Sequence, residues 1–109
     1  MTEVDPESRV LRNEERHRYE LWVGDDLAGY SDYRDVDDDG TRQTVFTHTE
    51  IDDAFGGRGL GSRLVEATLD DVVRRERQIV PICPFVQKVL RDTSTYDEYV
   101  RWPAESGDE

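Results

Sequence analysis

The sequence predicts a mixed α/β domain of the α+β kind, with strands gathered ahead of one long helix. Three observations lead there. Apolar and polar residues alternate through 18–23 and again through 44–52, the period-two pattern of half-buried strands. A glycine cluster, Gly56-Gly57-Arg58-Gly59-Leu60-Gly61, interrupts the chain straight after the second of these. Beyond it Leu60, Leu64, Val65, Thr68, Leu69, Val72 and Val73 recur at helical spacing and form one broad apolar stripe.

Taken in order, residues 1–16 are polar and mostly charged, and read as a flexible segment ahead of a single domain over 17–102. Tyr19, Leu21 and Val23 alternate with Arg18, Glu20 and Trp22 as a first strand. Gly24-Asp25-Asp26 turns the chain into a second strand over 27–34, so a hairpin is the simplest arrangement. Asp35-Val36-Asp37-Asp38-Asp39-Gly40 copies the opening of a calcium-binding EF-hand loop. Phe46 stands where that loop needs its bidentate glutamate, and the flanks are strand-like. An acidic hairpin turn with Gly40 at positive φ explains the same residues without metal.

Residues 44–52 form the third strand, with Val45, Thr47, Thr49 and Ile51 expected on one face and Phe46, His48 and Glu50 on the other. The helix after the glycine turn is expected to end near Arg77. Asp70–Arg74 and Asp71–Arg75 are expected as i,i+4 pairs on its wet side, each worth about 0.2–0.5 kcal/mol. Residues 78–83 are a short apolar strand containing Pro81, which donates no ladder hydrogen bond and so disfavours a central, fully paired position. Pro84 suits the first position of a second helix over 85–92. Tyr96, Tyr99, Val100 and Trp102 are available to cover the core, and 103–109 read as a solvated tail.

A chain of 109 residues has room for one core and little more. No apolar run approaches the ~20 residues of a membrane span, and the charged start is unlike a signal peptide. Cys83 is the single cysteine, which rules out an internal disulfide and suits a reducing cytoplasm. The formal charge of −12, from 26 acidic and 14 basic residues, repels nucleic acid and anionic membranes. Lys88 is the one lysine. So much Asp and Glu beside so little lysine fits adaptation to high salt, where screening relieves self-repulsion of the compact state. An ordinary acidic, solvated surface is the plainer account.

Glycine permits φ > 0 and close approach of another group. A helix opening straight after such a turn offers unpaired N–H groups and the positive end of its dipole to a phosphate. Gly56 and Gly61 have the Walker spacing, yet Ser62 stands where the lysine belongs. Gly57, Gly59 and Gly61 miss the final spacing of a dinucleotide fingerprint. Gly59-Leu60-Gly61, with Arg58 as basic neighbour, resembles instead the acetyl-CoA loop of the Gcn5-related N-acetyltransferases, whose pattern is Gln/Arg-x-x-Gly-x-Gly/Ala. Gly56 departs from its first position. His48-Thr49-Glu50-Ile51 before the loop and Ile79-Val80-Pro81-Ile82-Cys83-Pro84-Phe85-Val86 after it resemble the small YjdJ-type branch of that superfamily, over residues 18–102.

The resemblance implies a minimal acyl-CoA N-acyltransferase (GNAT) fold: an antiparallel-rich sheet with splayed strands, one long helix after the glycine loop and a short C-terminal helix. It implies an N-acetyltransferase that uses acetyl-CoA as cosubstrate, needs no metal and works as a monomer or weak homodimer. The acceptor amine is not encoded in these motifs. The cosubstrate would be held by Ile51, Gly57, Arg58, Gly59, Leu60, Gly61 and Ser62, with pantetheine entering between splayed strands, where Pro81 fits.

Acetyl transfer further needs a base for the amine, donors for the oxyanion and a proton for the leaving thiolate. Imidazole titrates in the range suited to a general base, which makes His48 a candidate, with Glu50 beside it. A structural histidine and a solvated strand carboxylate are the alternatives. Backbone N–H groups of a splayed strand suit the oxyanion. Cys83 falls at the N-cap ahead of Pro84, where a helix end favours a thiolate, and the branch carries a cysteine in this Pro-x-Cys-Pro context near the acetyl group. A covalent acetyl carrier, a thiol acid and a small buried hydrophobe are its possible roles. The superfamily's leaving-group tyrosine has no counterpart at Val89 or Leu90. Two rival functions stand beside the enzyme: a CoA-binding module without efficient turnover, and a partner-binding domain.

Overall fold

The computed structural model describes residues 8–103 apart from Asp39 and Arg58. Five strands lie in one sheet in the order of the chain: β1 (Ser8–Asn13), β2 (Arg18–Val23), β3 (Asp26–Asp38), β4 (Thr41–Ile51) and β5 (Gln78–Pro81). The first four pair antiparallel, and β5 returns parallel to β4. Between β4 and β5 runs α1 (Leu60–Arg74); α2 (Pro84–Arg91) follows β5. This is the mixed α/β architecture that the sequence predicts.

The sheet starts earlier than residue 17. Residues 8–13 pair with β2 along their whole length, and Arg63 of α1 ties down their start by donating to the Ser8 hydroxyl (2.7 Å) and carbonyl (3.0 Å). The polar reading of 1–16 missed this because an edge strand packs little. Val10 is its one apolar side chain against the core, while Leu11 is exposed. Residues 1–7 and the tail from 104 lie outside the described residues.

The apolar stripe of α1 faces the sheet as expected. Leu64, Leu69 and Val72 are fully buried with Tyr19, Leu21, Phe46 and Ile79, and each such leucine contributes about 1.5–3 kcal/mol. The helix stops at Arg74, short of Arg77, because Glu76 turns the chain at φ 62°. Neither expected i,i+4 pair forms. Arg74 pairs with Asp71 (2.7 Å), Arg75 reaches across to Asp35 on β3 (2.7 Å), and Asp70 accepts from the Tyr96 hydroxyl (2.6 Å). Arg75 lies where the helix meets the sheet, so a β3 carboxylate competes for it, whereas the exposed Arg74 takes Asp71 one residue nearer on its own helix. Trp102 departs from expectation too: it is exposed, with the Arg91 guanidinium 5.2 Å from its ring, while Tyr96 and Val100 do cover the core.

The acidic stretch is ladder before it is turn. β3 continues through Asp38, and Gly40 takes the expected left-handed φ of 83°. Asp35 accepts from the Thr44 hydroxyl (2.7 Å) and faces Arg75 and Arg77, while Asp37 pairs with Arg77 (2.8 Å). Burial pushes the Asp35 carboxyl up, but hydrogen bonds from Arg75 and Thr44 outweigh it and hold the group below its ordinary range. A depressed folded-state value stabilises above the unfolded pKa of about 3.9, and that contribution is lost as pH falls through the folded value. Asp35→Asn is therefore expected to lower the urea midpoint at pH 7 and to lose much of that effect near the foot of the acid transition. Equal losses at both pH values would contradict the linkage.

One irregularity reorganises β4. Its register with β3 passes from Asp32↔His48 directly to Tyr33↔Phe46, so Thr47 is an extra residue with no opposite number. A β-bulge of this kind breaks strict alternation. Phe46 therefore faces the helices together with Thr49 and Ile51, while His48 and Glu50 face away from them. The expectation that Phe46, His48 and Glu50 share a face fails for this reason.

Candidate active site at the parting of β4 and β5

β5 follows β4 only as far as the pair Phe46↔Pro81. The amides of Ile82 and Cys83 then both donate to the Phe46 carbonyl (3.0 and 2.9 Å), and the chain turns into α2. β4 continues to Ile51 with no strand on that side among the described residues. The two strands thus open a wedge, one edge of which is the side of residues 47–51 turned away from β3. Pro81 closes β5 where a missing N–H does least harm.

Cys83 forms the inner wall of the wedge. It is the N-cap of α2 with Pro84 in the first turn, as expected, and it makes no side-chain capping hydrogen bond. Its side chain is buried, and the thiol donates to Thr49 Oγ1 at 3.4 Å. Thr49 in turn lies 2.9 Å from the Ser31 hydroxyl. Ile82 and Phe85 flank the thiol along the chain and are both exposed.

His48 and Glu50 meet each other on the outer face, with Nε2 and Oε1 3.1 Å apart and both side chains more than half exposed. The Tyr30 hydroxyl also donates to Glu50 Oε1, at 3.2 Å. These hydrogen bonds, from His48 first and then Tyr30, hold the Glu50 carboxyl below its ordinary value. The three candidate catalytic groups are therefore divided. Cys83 lies on the helix side of the sheet, and the His48–Glu50 pair lies on the other.

The glycine turn leads into α1. Asp52 caps a short 3-10 turn, Asp53–Phe55, through the Ala54 amide (2.9 Å). Gly57 and Gly59 then take left-handed φ of 77° and 74°, and a Cβ on either would meet nothing within 4 Å. Gly59 caps α1 with no side-chain hydrogen bond, so the opening amides of the helix face an open loop. Gly56 has an ordinary φ of −70°; backbone geometry does not demand glycine there. Leu60 is buried and can offer a ligand only its backbone, whereas Ser62 is exposed. Ile51 packs partly against the core, and Arg58 lies outside the described residues. A Cβ on Gly61 would stand 2.5 Å from the Phe85 ring, so the first turns of α1 and α2 touch at this point.

Ser31, Thr49, Ile82 and Phe85 join the site although none was named as a site residue; all but Ser31 lie within the segments that carried the resemblance. Ile82 and Phe85 had a signal in their place on either side of Cys83-Pro84. Ser31 had none, and for Thr49 the bulge hides that its face is the one Phe46 shares.

The described sheet and helices agree with known proteins. The family model for GCN5-related N-acetyl-transferases matches residues 18–99. Protein NATD1 of Xenopus tropicalis is 31% identical over 94 residues, spanning 82% of this chain and 82% of that protein. NATD1 of Bos taurus is 36% identical over 53 residues, which are 49% of this chain and 47% of that protein. Among solved structures, a GCN5-like protein of Staphylococcus aureus superimposes with a TM-score of 0.64 at 21% identity, covering 93% of this chain and 95% of that one. A ribosomal-protein-alanine N-acetyltransferase of Brucella melitensis gives 0.59 at 19% identity, covering 84% and 66%. At these identities the structural likeness is one of fold, and the sequence match carries the kinship: the chain belongs to the GCN5-related N-acetyl-transferase family.

Proposed function

We propose that the protein is an N-acetyltransferase that uses acetyl-CoA and acetylates an amine. The wedge between β4 and β5, ending at an open glycine loop, is the observation that carries this reading. Acetyl-CoA supplies the activated thioester. The loop of residues 57–62 and the first amides of α1 hold its pyrophosphate, and the free edge of β4 offers N–H and C=O groups to the pantetheine amides. Ile82 and Phe85 provide an apolar wall.

The His48–Glu50 pair accepts the proton of an amine arriving from the outer face, directly or through one water. The amine nitrogen bonds to the carbonyl carbon, β4 amides hold the oxyanion, and the C–S bond breaks. Cys83 gives its thiol proton to the departing sulfur, taking the part for which Val89 and Leu90 offer no acid. Both of those side chains are buried apolar groups of α2.

Isothermal calorimetry with acetyl-CoA, followed by amine-dependent release of CoA thiol over a panel of amines, tests the reading. Saturable binding with amine-dependent release is the expected result. Absence of binding would overturn it. Tight binding without release would select the CoA-binding module, a reading that the Gly56 departure favours.

A further inference from the structure

We propose that Thr49 and Ser31 form a two-hydroxyl relay that aims the Cys83 thiol and stabilises its thiolate; the inference rests on the role of Cys83 given above. Thr49 and Ser31 stand opposite each other in the β3–β4 ladder. The bulge at Thr47 turns this pair toward the helices, beneath the sulfur. Ser31 is fully buried and Cys83 is 3% exposed, so water is a poor substitute for protein partners there. Cys83 is held from its own side by the hydrogen bond from its amide to the Phe46 carbonyl (2.9 Å).

A threonine hydroxyl carries one donor and two acceptor sites, and this decides what the relay can do. With the thiol protonated, S–H donates to Thr49 Oγ1, and Thr49 O–H donates to Ser31. When the thiol has lost its proton, Thr49 O–H turns to donate to the sulfur, and Ser31 O–H donates to Thr49. In either state Thr49 keeps one donated and one accepted hydrogen bond, and no heavy atom moves. In the transfer step the thiol proton goes to the departing CoA sulfur, leaving the Cys83 thiolate on the relay. Solvent returns a proton to Cys83, and the base on the outer face releases to solvent the proton taken from the amine. The balance is amine plus acetyl-CoA to amide plus CoA thiol. Thr49 and Ser31 are positioning residues in this scheme, since they act through Cys83.

The chain has one cysteine, so ultraviolet thiolate absorbance, with Cys83→Ser as blank, titrates Cys83 alone. Thr49→Val keeps the shape and removes the hydroxyl. It is expected to move the thiol titration upward by about one pH unit, a tenfold loss of thiolate at a given pH below the midpoint. Thr49→Ser should restore the wild-type curve, and Ser31→Ala should move it the same way by less. In the release assay Thr49→Val should lower kcat with KM for acetyl-CoA nearly unchanged. Coincident titrations of Thr49→Val and wild type would overturn the relay, as would failure of Thr49→Ser to restore the curve. Should Thr49→Val fail to fold by circular dichroism, an unshifted titration in Ser31→Ala overturns it instead. The titration uses no acetyl-CoA. A shifted curve in a protein that does not bind acetyl-CoA would keep the relay and sink the transferase, and an unshifted curve with normal turnover would do the reverse.

Discussion

Arg77→Ala is expected to destabilise the protein by about 3 kcal/mol, at the lower end of the range for breaking a buried charge network. The Arg77 side chain is 4% exposed although it is fully charged. Its Nε donates to Thr44 (3.0 Å) and lies 3.3 Å from Asp35, and its Nη2 donates to Asp37 and to the Gln43 carbonyl, both at 2.8 Å. One side chain thereby ties the segment after α1 to β3 and β4 at once. The lower end of the range applies because Asp37 is mostly exposed and Asp35 keeps Arg75. Domains of this size are stable by about 5–15 kcal/mol in all, so the loss is a large share. Arg77→Lys should recover only part of it, since an ammonium lacks the planar fork that reaches several acceptors together. Urea unfolding followed by circular dichroism measures both, and a loss below about 1 kcal/mol for Arg77→Ala, the scale of a surface pair, would show the network to be ornamental.

Gly59→Val is expected to abolish acetyl-CoA binding in calorimetry while leaving α1 in place. At φ 74° the backbone is left-handed, which costs a residue with a Cβ about 1–2 kcal/mol and disfavours branched side chains further. Among the described residues, chain neighbours aside, nothing lies within 4 Å of the new Cβ, so the added atoms occupy the open side of the loop, where a pyrophosphate must approach the amides. The helix survives because its stability comes from the buried stripe of Leu64, Leu69 and Val72. Gly59→Ala should fall between, with the strain but less of the obstruction. Wild-type affinity in Gly59→Val would remove the glycine loop from the binding site.

What the sequence made legible is what depends on neighbours along the chain. The α1 stripe, the glycine turn, and Cys83 as N-cap before Pro84 are all local patterns, and the structure has each where the spacing puts it. β1 was illegible because an edge strand needs little apolar surface, and one valine carries no period. The partner of Arg75 depends on which strand lies across from the end of α1, a fact no i,i+4 count contains. In the site, Cys83 and the loop could be named from local chemistry, and His48 with Glu50 from their spacing. Thr49 and Ser31 could not, because strict alternation puts Phe46 with His48 and so separates Thr49 from the core face.

Thr47 has a peculiar standing in this fold. Were it deleted, Tyr33↔Phe46 and Asp32↔His48 would become consecutive rungs, and each residue beyond would keep both its partner and its face. The sheet has no need of it for pairing. An inserted residue does bend and overtwist its strand, and it sits immediately past Phe46, the last residue that β5 accompanies. The mouth between the two strands thus begins where an inserted residue in β4 meets the end of β5 at Pro81. A lineage could widen or shut it by gaining or losing one codon, with every contacting side chain left as it was.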